Sequence, residues 1–164
     1  LYDFENQTLP ECDDDYIQKN KYILIYAYTY TENEKKWIRE YSDKKGLKIV
    51  TVGFYEQWCD HCVNCSPLCF LDVIRKAEIV YTSSFHCGIF SMYAGKRMIV
   101  KGTKQKVSDL FRRIGAENVL IDVTDSYEKF EEVANSEIDF KHIMENIHNF
   151  RNVSQKFLKE ALER

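Results

Sequence analysis

The sequence has little proline or glycine, and it lacks a long hydrophobic run. Two prolines and six glycines among 164 residues exclude a collagen-like repeat and argue against a flexible linker. No apolar run approaches the roughly 20 residues that a helix needs to cross a bilayer. The chain opens with Leu1-Tyr2-Asp3-Phe4, which does not resemble a signal peptide, so a cytoplasmic location is expected.

An excess of basic residues is also missing. The 23 lysines and arginines are outnumbered by 26 aspartates and glutamates, giving a net charge of -3, so no nucleic-acid partner is expected. The chain is instead 45% hydrophobic and 14% aromatic, which is enough for a packed core and too much for a disordered tail. Its length predicts a single domain over residues 1–164.

Short apolar runs alternate with amphipathic stretches of ten or more residues. This alternation predicts a three-layer α/β domain with a mostly parallel sheet of about five strands. The predicted strands are Tyr22–Tyr28, Lys48–Val52, Glu78–Thr82, Arg97–Lys101 and Asn118–Val123. The stretch from residue 53 to 65 is predicted as a connection, and 124–137 as a loop with one helical turn. A long closing helix is expected over 138–164, because apolar residues recur there at every third or fourth position.

A run of small polar residues and a histidine lies where a buried strand is followed by a helix, at Thr82-Ser83-Ser84-Phe85-His86-Cys87-Gly88. Ligands of open α/β sheets bind outside the carboxyl ends of strands, and a helix N-terminus favours anions. Two hydroxyls and an imidazole can hold a phosphate or carboxylate there, and Gly88 would let a ligand approach the backbone. The structural alternative is that a serine caps the helix and His86 is an ordinary first-turn histidine.

A longer ordered pattern surrounds this junction. It comprises Ser66-Pro67, Phe70-Leu71, Ala77 before an apolar strand, Ser84-Phe85-His86-x-Gly88, Phe90-Ser91, and Lys106 before Leu110-Phe111-x-x-Ile114-Gly115. In this order the residues resemble the polysaccharide pyruvyl transferase family. Cys87 departs from the family, which usually has glycine after the histidine, and Ser84 stands where some members have arginine.

The resemblance implies a Rossmann-like domain that forms the C-terminal half of a two-domain, glycosyltransferase-B-like enzyme. Such enzymes transfer pyruvate as a ketal from phosphoenolpyruvate to a sugar of a surface glycan, and no cofactor or metal is expected. On this resemblance, His86 and Lys106 are the catalytic candidates, which hold or protonate the phosphoenolpyruvate. The substrate-binding candidates are Ser83, Ser84, Phe85, Cys87 and Gly88. An N-terminal domain would supply contacts to the sugar or lipid-linked glycan, so this chain alone is expected to be inactive.

Two other functions fit the sequence. The same helix N-terminus would suit the diphosphate of a nucleotide sugar, which would make the chain the donor-binding half of a glycosyltransferase. Four of the six cysteines follow the spacing C-x2-C-x2-C-x3-C from Cys59 to Cys69, with His61 between them, a spacing typical of an iron–sulfur or zinc module. Proline precedes Cys69 instead of following it, which favours free cytosolic thiols over a cluster.

Overall fold

A computed structural model describes residues 10–102 and 104–163. Over these residues, six parallel strands form one sheet in the order β3-β2-β1-β4-β5-β6. The strands are β1 (Tyr22–Tyr26), β2 (Lys48–Val52), β3 (His61–Val63), β4 (Ile79–Thr82), β5 (Met98–Lys101) and β6 (Leu120–Ile121). The strand order reverses between β1 and β4, and a crevice is expected at the carboxyl ends of strands at such a point. The predicted Rossmann-like α/β class is confirmed.

Helices cover both faces of the sheet. They are α1 (Asp15–Lys19), α2 (Glu32–Lys45), α3 (Pro67–Lys76), α4 (Phe85–Tyr93), α5 (Gln105–Arg113), α6 (Tyr127–Asn135) and α7 (Phe140–Leu162). Ile23 and Ile25 of β1 share a core with α2 and α6, whereas Tyr22 and Leu24 share the opposite core with the other five helices. Side chains alternate between the faces of a strand, and burial of both faces explains why β1 is apolar throughout.

Two helix starts are fixed by capping hydrogen bonds that match their local sequence. Thr31 and Glu34 form the capping box of α2, in which the Glu34 amide donates to Thr31 Oγ1 at 3.2 Å and the Thr31 amide donates to Glu34 Oε2 at 2.6 Å. Ser66 caps α3 by accepting a hydrogen bond from the Cys69 amide at 3.3 Å, with Pro67 as the first helical residue.

Several predicted boundaries are wrong. The stretch predicted as a connection after residue 53 contains β3, which is too short for a periodic pattern, so the sheet has six described strands instead of five. The first strand ends at Tyr26, and the last is reduced to β6 by the 3-10 helix Glu117–Val119 that precedes it. The predicted loop at 124–137 contains α6, whose buried side is only Phe130, Val133 and Ala134.

The C-terminal helix leaves the body of the domain. It begins after Asp139, whose carboxylate accepts a hydrogen bond from the His142 amide at 2.9 Å, and Ile143 is buried. Its second half is exposed, with large apolar side chains at Phe150, Val153, Phe157, Leu158 and Leu162. Among the described residues, no helix combines the length and the apolar character that crossing a membrane requires.

Candidate functional site

The start of α4 is fixed by hydrogen bonds at the carboxyl end of β4. Thr82 Oγ1 donates to the Tyr26 carbonyl at 2.6 Å and accepts from the Ser84 amide at 2.9 Å. The side chain of Ser84 then caps α4 by accepting a hydrogen bond from the Cys87 amide at 3.5 Å. Ser84 is therefore a helix cap, as the structural alternative predicted, and Thr82 ties this helix start to the end of β1.

Ser83 joins the two loops that flank the point of strand reversal. Its hydroxyl oxygen accepts a hydrogen bond from the Tyr28 amide at 3.2 Å, and the residue is buried. The loop after β1 and the loop after β4 are thus linked through one side chain.

His86 of α4 and Lys106 of α5 both contact the ring of Phe85. The Lys106 ammonium lies 4.8 Å from the centre of the Phe85 ring, and the His86 imidazole packs edge-on to the same ring with centroids 5.6 Å apart. Both His86 and Lys106 are exposed to solvent. Residues that are 20 positions apart in the sequence therefore lie together at the carboxyl end of the sheet.

A second lysine, which the sequence analysis did not select, extends this corner. Lys104 is the N-cap residue of α5, and its ammonium lies 3.9 Å from the centre of the Tyr28 ring. We refer to His86, Lys104 and Lys106 as the basic corner. In the sequence, Lys104 is marked only by its position two residues before Lys106 at the start of a predicted helix.

The helices at the basic corner lack the acidic residues that usually neutralise a helix start. Neither α4 nor α5 has an acidic residue in its first turn, whereas α2 has Glu32 and Glu34 there. Lysines at a helix N-terminus add to the positive end of the helix dipole, which is unfavourable unless an anion is near. The corner is therefore suited to a multiply charged anion.

Cys87 and Gly88 have packing roles in this structure. The Cys87 side chain is completely buried, and burial raises the pKa of its thiol to about 12. A Cβ atom on Gly88 would lie 2.8 Å from Cζ of Phe111, so the glycine gives space to a ring of α5 and not to a ligand. The family usually has glycine at the position of Cys87. Because the Cys87 side chain is buried in the core, it does not restrict access to His86.

A cavity lies beside the basic corner, beyond the carboxyl ends of β1 and β2. Its volume is about 130 Å³, and half of its lining residues are aromatic: Tyr26, Ala27, Tyr28, Tyr30, Thr51, Phe54, Glu56 and Ser84. Ser84 and Tyr28 therefore contribute both to this cavity and to the frame of the basic corner. The sequence analysis missed Phe54 and Glu56, which belong to a connection without a recognisable motif.

A buried ion pair anchors the loop between β1 and α2. The Lys101 ammonium lies 2.9 Å from the Glu34 carboxylate, and the two side chains are 6% and 2% exposed. Lys101 also donates to the Thr29 carbonyl at 3.2 Å, and the Tyr81 hydroxyl donates to Glu34. The network fixes the loop that carries Tyr28 and Tyr30.

This network predicts a pH-dependent contribution to stability. Burial raises the pKa of Glu34, but hydrogen bonds from Thr31, Tyr81 and Lys101 outweigh it, so the folded-state pKa is lower than the ordinary value. A lowered pKa stabilises the fold above the unfolded-state pKa of about 4.3, and this contribution is lost as the pH falls through the folded-state pKa. We expect the difference in unfolding free energy between the wild type and Glu34→Gln to shrink between pH 5 and pH 2, measured by urea unfolding. A difference that is constant over this range would contradict the assignment.

The cysteine run does not form one cluster. Cys65 and Cys69 pack against the core that contains buried Cys12, whereas Cys59 packs against the core on the other face of the sheet. Within the described ranges 10–102 and 104–163, no group of three or more His, Cys, Asp or Glu side chains is arranged to hold a metal ion. Burial raises the thiol pKa of Cys59 to about 12 and that of Cys65 to about 11, which disfavours the thiolates that bind metals. The alternative of an iron–sulfur or zinc module is therefore not supported.

Comparison with known proteins identifies the family. The sequence model of the polysaccharide pyruvyl transferases matches residues 6–105, which is more than half of the chain. The chain belongs to the polysaccharide pyruvyl transferase family. The matched segment contains the α4 junction with His86 and ends one residue before Lys106. A search of curated proteins gave no significant match.

Two solved structures are similar to this member of the family. The C-terminal CMP-Kdo binding domain of WaaA from Acinetobacter baumannii aligns with 10% identity and a TM-score of 0.47, over 82% of this chain and 90% of that domain. The glycotransferase of kitacinnamycin aligns with 12% identity and a TM-score of 0.48, over 81% of this chain and 40% of that protein.

Proposed function

We propose that this chain is the domain of a pyruvyl transferase that binds phosphoenolpyruvate and presents it to a sugar of a surface glycan. The observation that carries the proposal is the basic corner, in which Lys106 and His86 flank Phe85 at the start of α4. Phosphoenolpyruvate has a phosphate and a carboxylate and is a trianion near neutral pH. Two lysines and two helix starts without acidic residues favour such a ligand.

The reaction needs both anion binding and proton transfer. The methylene carbon of phosphoenolpyruvate gains a proton, and a sugar hydroxyl oxygen bonds to the adjacent carbon, where positive charge develops. The carbon–oxygen bond to phosphate breaks, and its electron pair leaves with the phosphate. A second sugar hydroxyl bonds to the same carbon, the hydroxyl protons are released, and the ketal is complete. We assign Lys104 and Lys106 to anion binding, and His86 to proton transfer or phosphate binding.

The exposure of the basic corner bears on turnover. His86 and Lys106 are open to solvent, whereas a charged transition state is stabilised best where water is excluded. We propose that a second domain closes over the corner and supplies contacts to the sugar or lipid-linked glycan. The proposal includes a cytoplasmic location, which the six free thiols support, because disulfides form readily in oxidising compartments.

Titration of this chain with phosphoenolpyruvate tests the proposal. We expect binding by calorimetry, and we expect His86→Ala and Lys106→Ala each to weaken it by roughly tenfold or more, since a charge-assisted hydrogen bond contributes about 1.5–3 kcal/mol. Lys141→Ala and His148→Ala provide matched controls, because both residues are exposed on α7.

Three results would overturn the proposal or its site. Absence of phosphoenolpyruvate binding would contradict the proposed function. Binding of uridine diphosphate glucose without phosphoenolpyruvate binding would favour a nucleotide-sugar glycosyltransferase. Equal affinity of the His86→Ala and Lys106→Ala variants and the wild type would place the ligand elsewhere.

A further inference from the structure

The cavity beside the basic corner has a wall that the phosphoenolpyruvate proposal does not use. We use the term aromatic wall for two aromatic residues that line the cavity, Tyr28 and Phe54, together with Glu56, which lines it beside them. It lies beyond the carboxyl ends of β1 and β2. The basic corner, in contrast, is built by the starts of α4 and α5.

Two large rings of the aromatic wall are exposed although the fold has buried cores on both faces of its sheet. Tyr28 is 68% exposed and Phe54 is 66% exposed. Burying an exposed aromatic ring against a partner is favourable, because apolar surface is removed from water. The exposed rings therefore provide binding energy for a ligand with an apolar face.

The position of Phe54 is fixed by the turn that carries it. The Thr51 hydroxyl donates to the Phe54 carbonyl at 3.0 Å, and the Gly53 amide donates to the Val63 carbonyl at 3.0 Å. Gly53 has a φ of 73°, a conformation that glycine adopts without strain. The backbone that carries the ring is therefore already ordered and loses little conformational entropy when a ligand binds.

The charge of the wall selects against the ligand of the basic corner. Glu56 is partly buried, and its carboxylate accepts a hydrogen bond from Trp58 Nε1 at 3.2 Å. A carboxylate repels phosphates and carboxylates but accepts hydrogen bonds from hydroxyl groups. The wall is therefore suited to a neutral ligand that has hydroxyl donors at its edge and an apolar face of C–H groups.

The size of the cavity suits a small group, such as a single ring of a larger ligand. A volume of about 130 Å³ is below the roughly 300–1,000 Å³ of pockets for drug-sized molecules. A hexopyranose has equatorial hydroxyls around its edge and a C–H face that packs on an aromatic ring. Such a ring is neutral and hydroxyl-rich, which matches the exposed aromatic rings and the carboxylate of this wall.

The wall also lies where a sugar would meet the phosphoenolpyruvate. The Tyr28 ring lines the cavity and lies 3.9 Å from the Lys104 ammonium. Ser84 lines the same cavity and caps the helix that carries His86. A ring bound in the cavity is therefore adjacent to the basic corner.

We infer that Tyr28, Phe54 and Glu56 bind one neutral hexopyranose ring of the glycan acceptor. The role of this subsite in catalysis rests on the proposed function. The binding itself is measurable on this chain without phosphoenolpyruvate.

Saturation-transfer NMR with methyl glycosides tests the subsite. With methyl β-D-glucopyranoside, galactopyranoside and mannopyranoside as probes, we expect transfer from the protein to the ring C–H protons of at least one glycoside. Phe54→Ala and Glu56→Gln should each weaken its binding by about fivefold or more. Phe157→Ala is a matched control, because Phe157 is 69% exposed on α7, and Glu145→Gln controls for the loss of an exposed carboxylate.

The outcomes separate this inference from the proposed function. Binding of phosphoenolpyruvate without binding of any glycoside would overturn the subsite alone. Binding of a glycoside without phosphoenolpyruvate would support the subsite and overturn the proposed function. Glycoside affinity unchanged by Phe54→Ala and Glu56→Gln, or selective binding of uridine or guanosine in place of the glycosides, would also overturn the subsite.

Discussion

Replacing Lys101 with methionine should lower the free energy of unfolding by about 3–5 kcal/mol. The Lys101 ammonium is the cation that pairs with the buried Glu34 carboxylate, at 2.9 Å. Without it, the carboxylate stays in the interior with hydrogen bonds from Tyr81 and Thr31 but without a cation to balance its charge. Breaking a buried ion pair on one side costs about this much, because one uncompensated charge remains. Urea unfolding at pH 7 measures the effect.

Two further variants distinguish loss of the pair from loss of a lysine side chain. The double variant Lys101→Met with Glu34→Leu should recover much of the stability, since an apolar replacement of both charges is often neutral. Lys129→Met removes the lysine of an exposed pair on α6, with side chains 43% and 69% exposed, and should cost less than about 1 kcal/mol. A Lys101→Met protein within 1 kcal/mol of the wild type would show that the pair contributes little.

The second large effect is expected at Gly88. Its Cβ would lie 2.8 Å and 3.2 Å from two ring atoms of Phe111, and Phe111 is fully buried, so the ring has no free space to move into. Overpacking costs about 1–3 kcal/mol, whereas alanine regains about 1 kcal/mol of helix preference. Gly88→Ala should therefore destabilise the fold by up to about 2 kcal/mol. Gly88→Val adds more volume to the same contact and should cost about 3 kcal/mol.

The substitution Gly102→Ala is the control for Gly88→Ala. A Cβ on Gly102 meets its nearest atom, the Ile121 carbonyl oxygen, at 3.6 Å, which is ordinary contact, so its effect should stay within about 0.5 kcal/mol. Forcing α4 away from α5 should also separate Phe85 from Lys106, so phosphoenolpyruvate binding should weaken in Gly88→Val. Thermal unfolding that is unchanged in Gly88→Val would contradict the packing role of this glycine.

The fold was largely predictable because its elements carry local signals. The strand at Tyr22 is apolar on both faces, and Thr31 with Glu34 has the spacing of a capping box, so a parallel sheet with covering helices follows. The sequence has no comparable signal for β3, which has three residues, or for α1, which has five. Such elements form because neighbouring elements pair or pack with them, and their own residues do not specify them.

The candidate site was predictable only in part, for a related reason. The helix start at Ser84 and the position of His86 follow from a strand followed by a cap, which is local information. The approach of Lys104 to Tyr28 depends on how the loops after β1 and β5 fold over the sheet, and the buried pair of Lys101 with Glu34 joins residues 67 positions apart. The packing of Gly88 was not predictable either, because the Phe111 ring that fills the space beside it lies 23 positions further along the chain.

The hydrogen bond from the Tyr28 amide to Ser83 has a mechanical consequence. It couples the backbone after β1 to the backbone after β4 at 3.2 Å, and Lys101 holds the same first loop through the Thr29 carbonyl. The loops beneath the basic corner and the cavity are thus tied to each other and to β5. In the proposed reaction, adjustment within this domain would fall to the long lysine side chains and the imidazole, which are exposed above these loops.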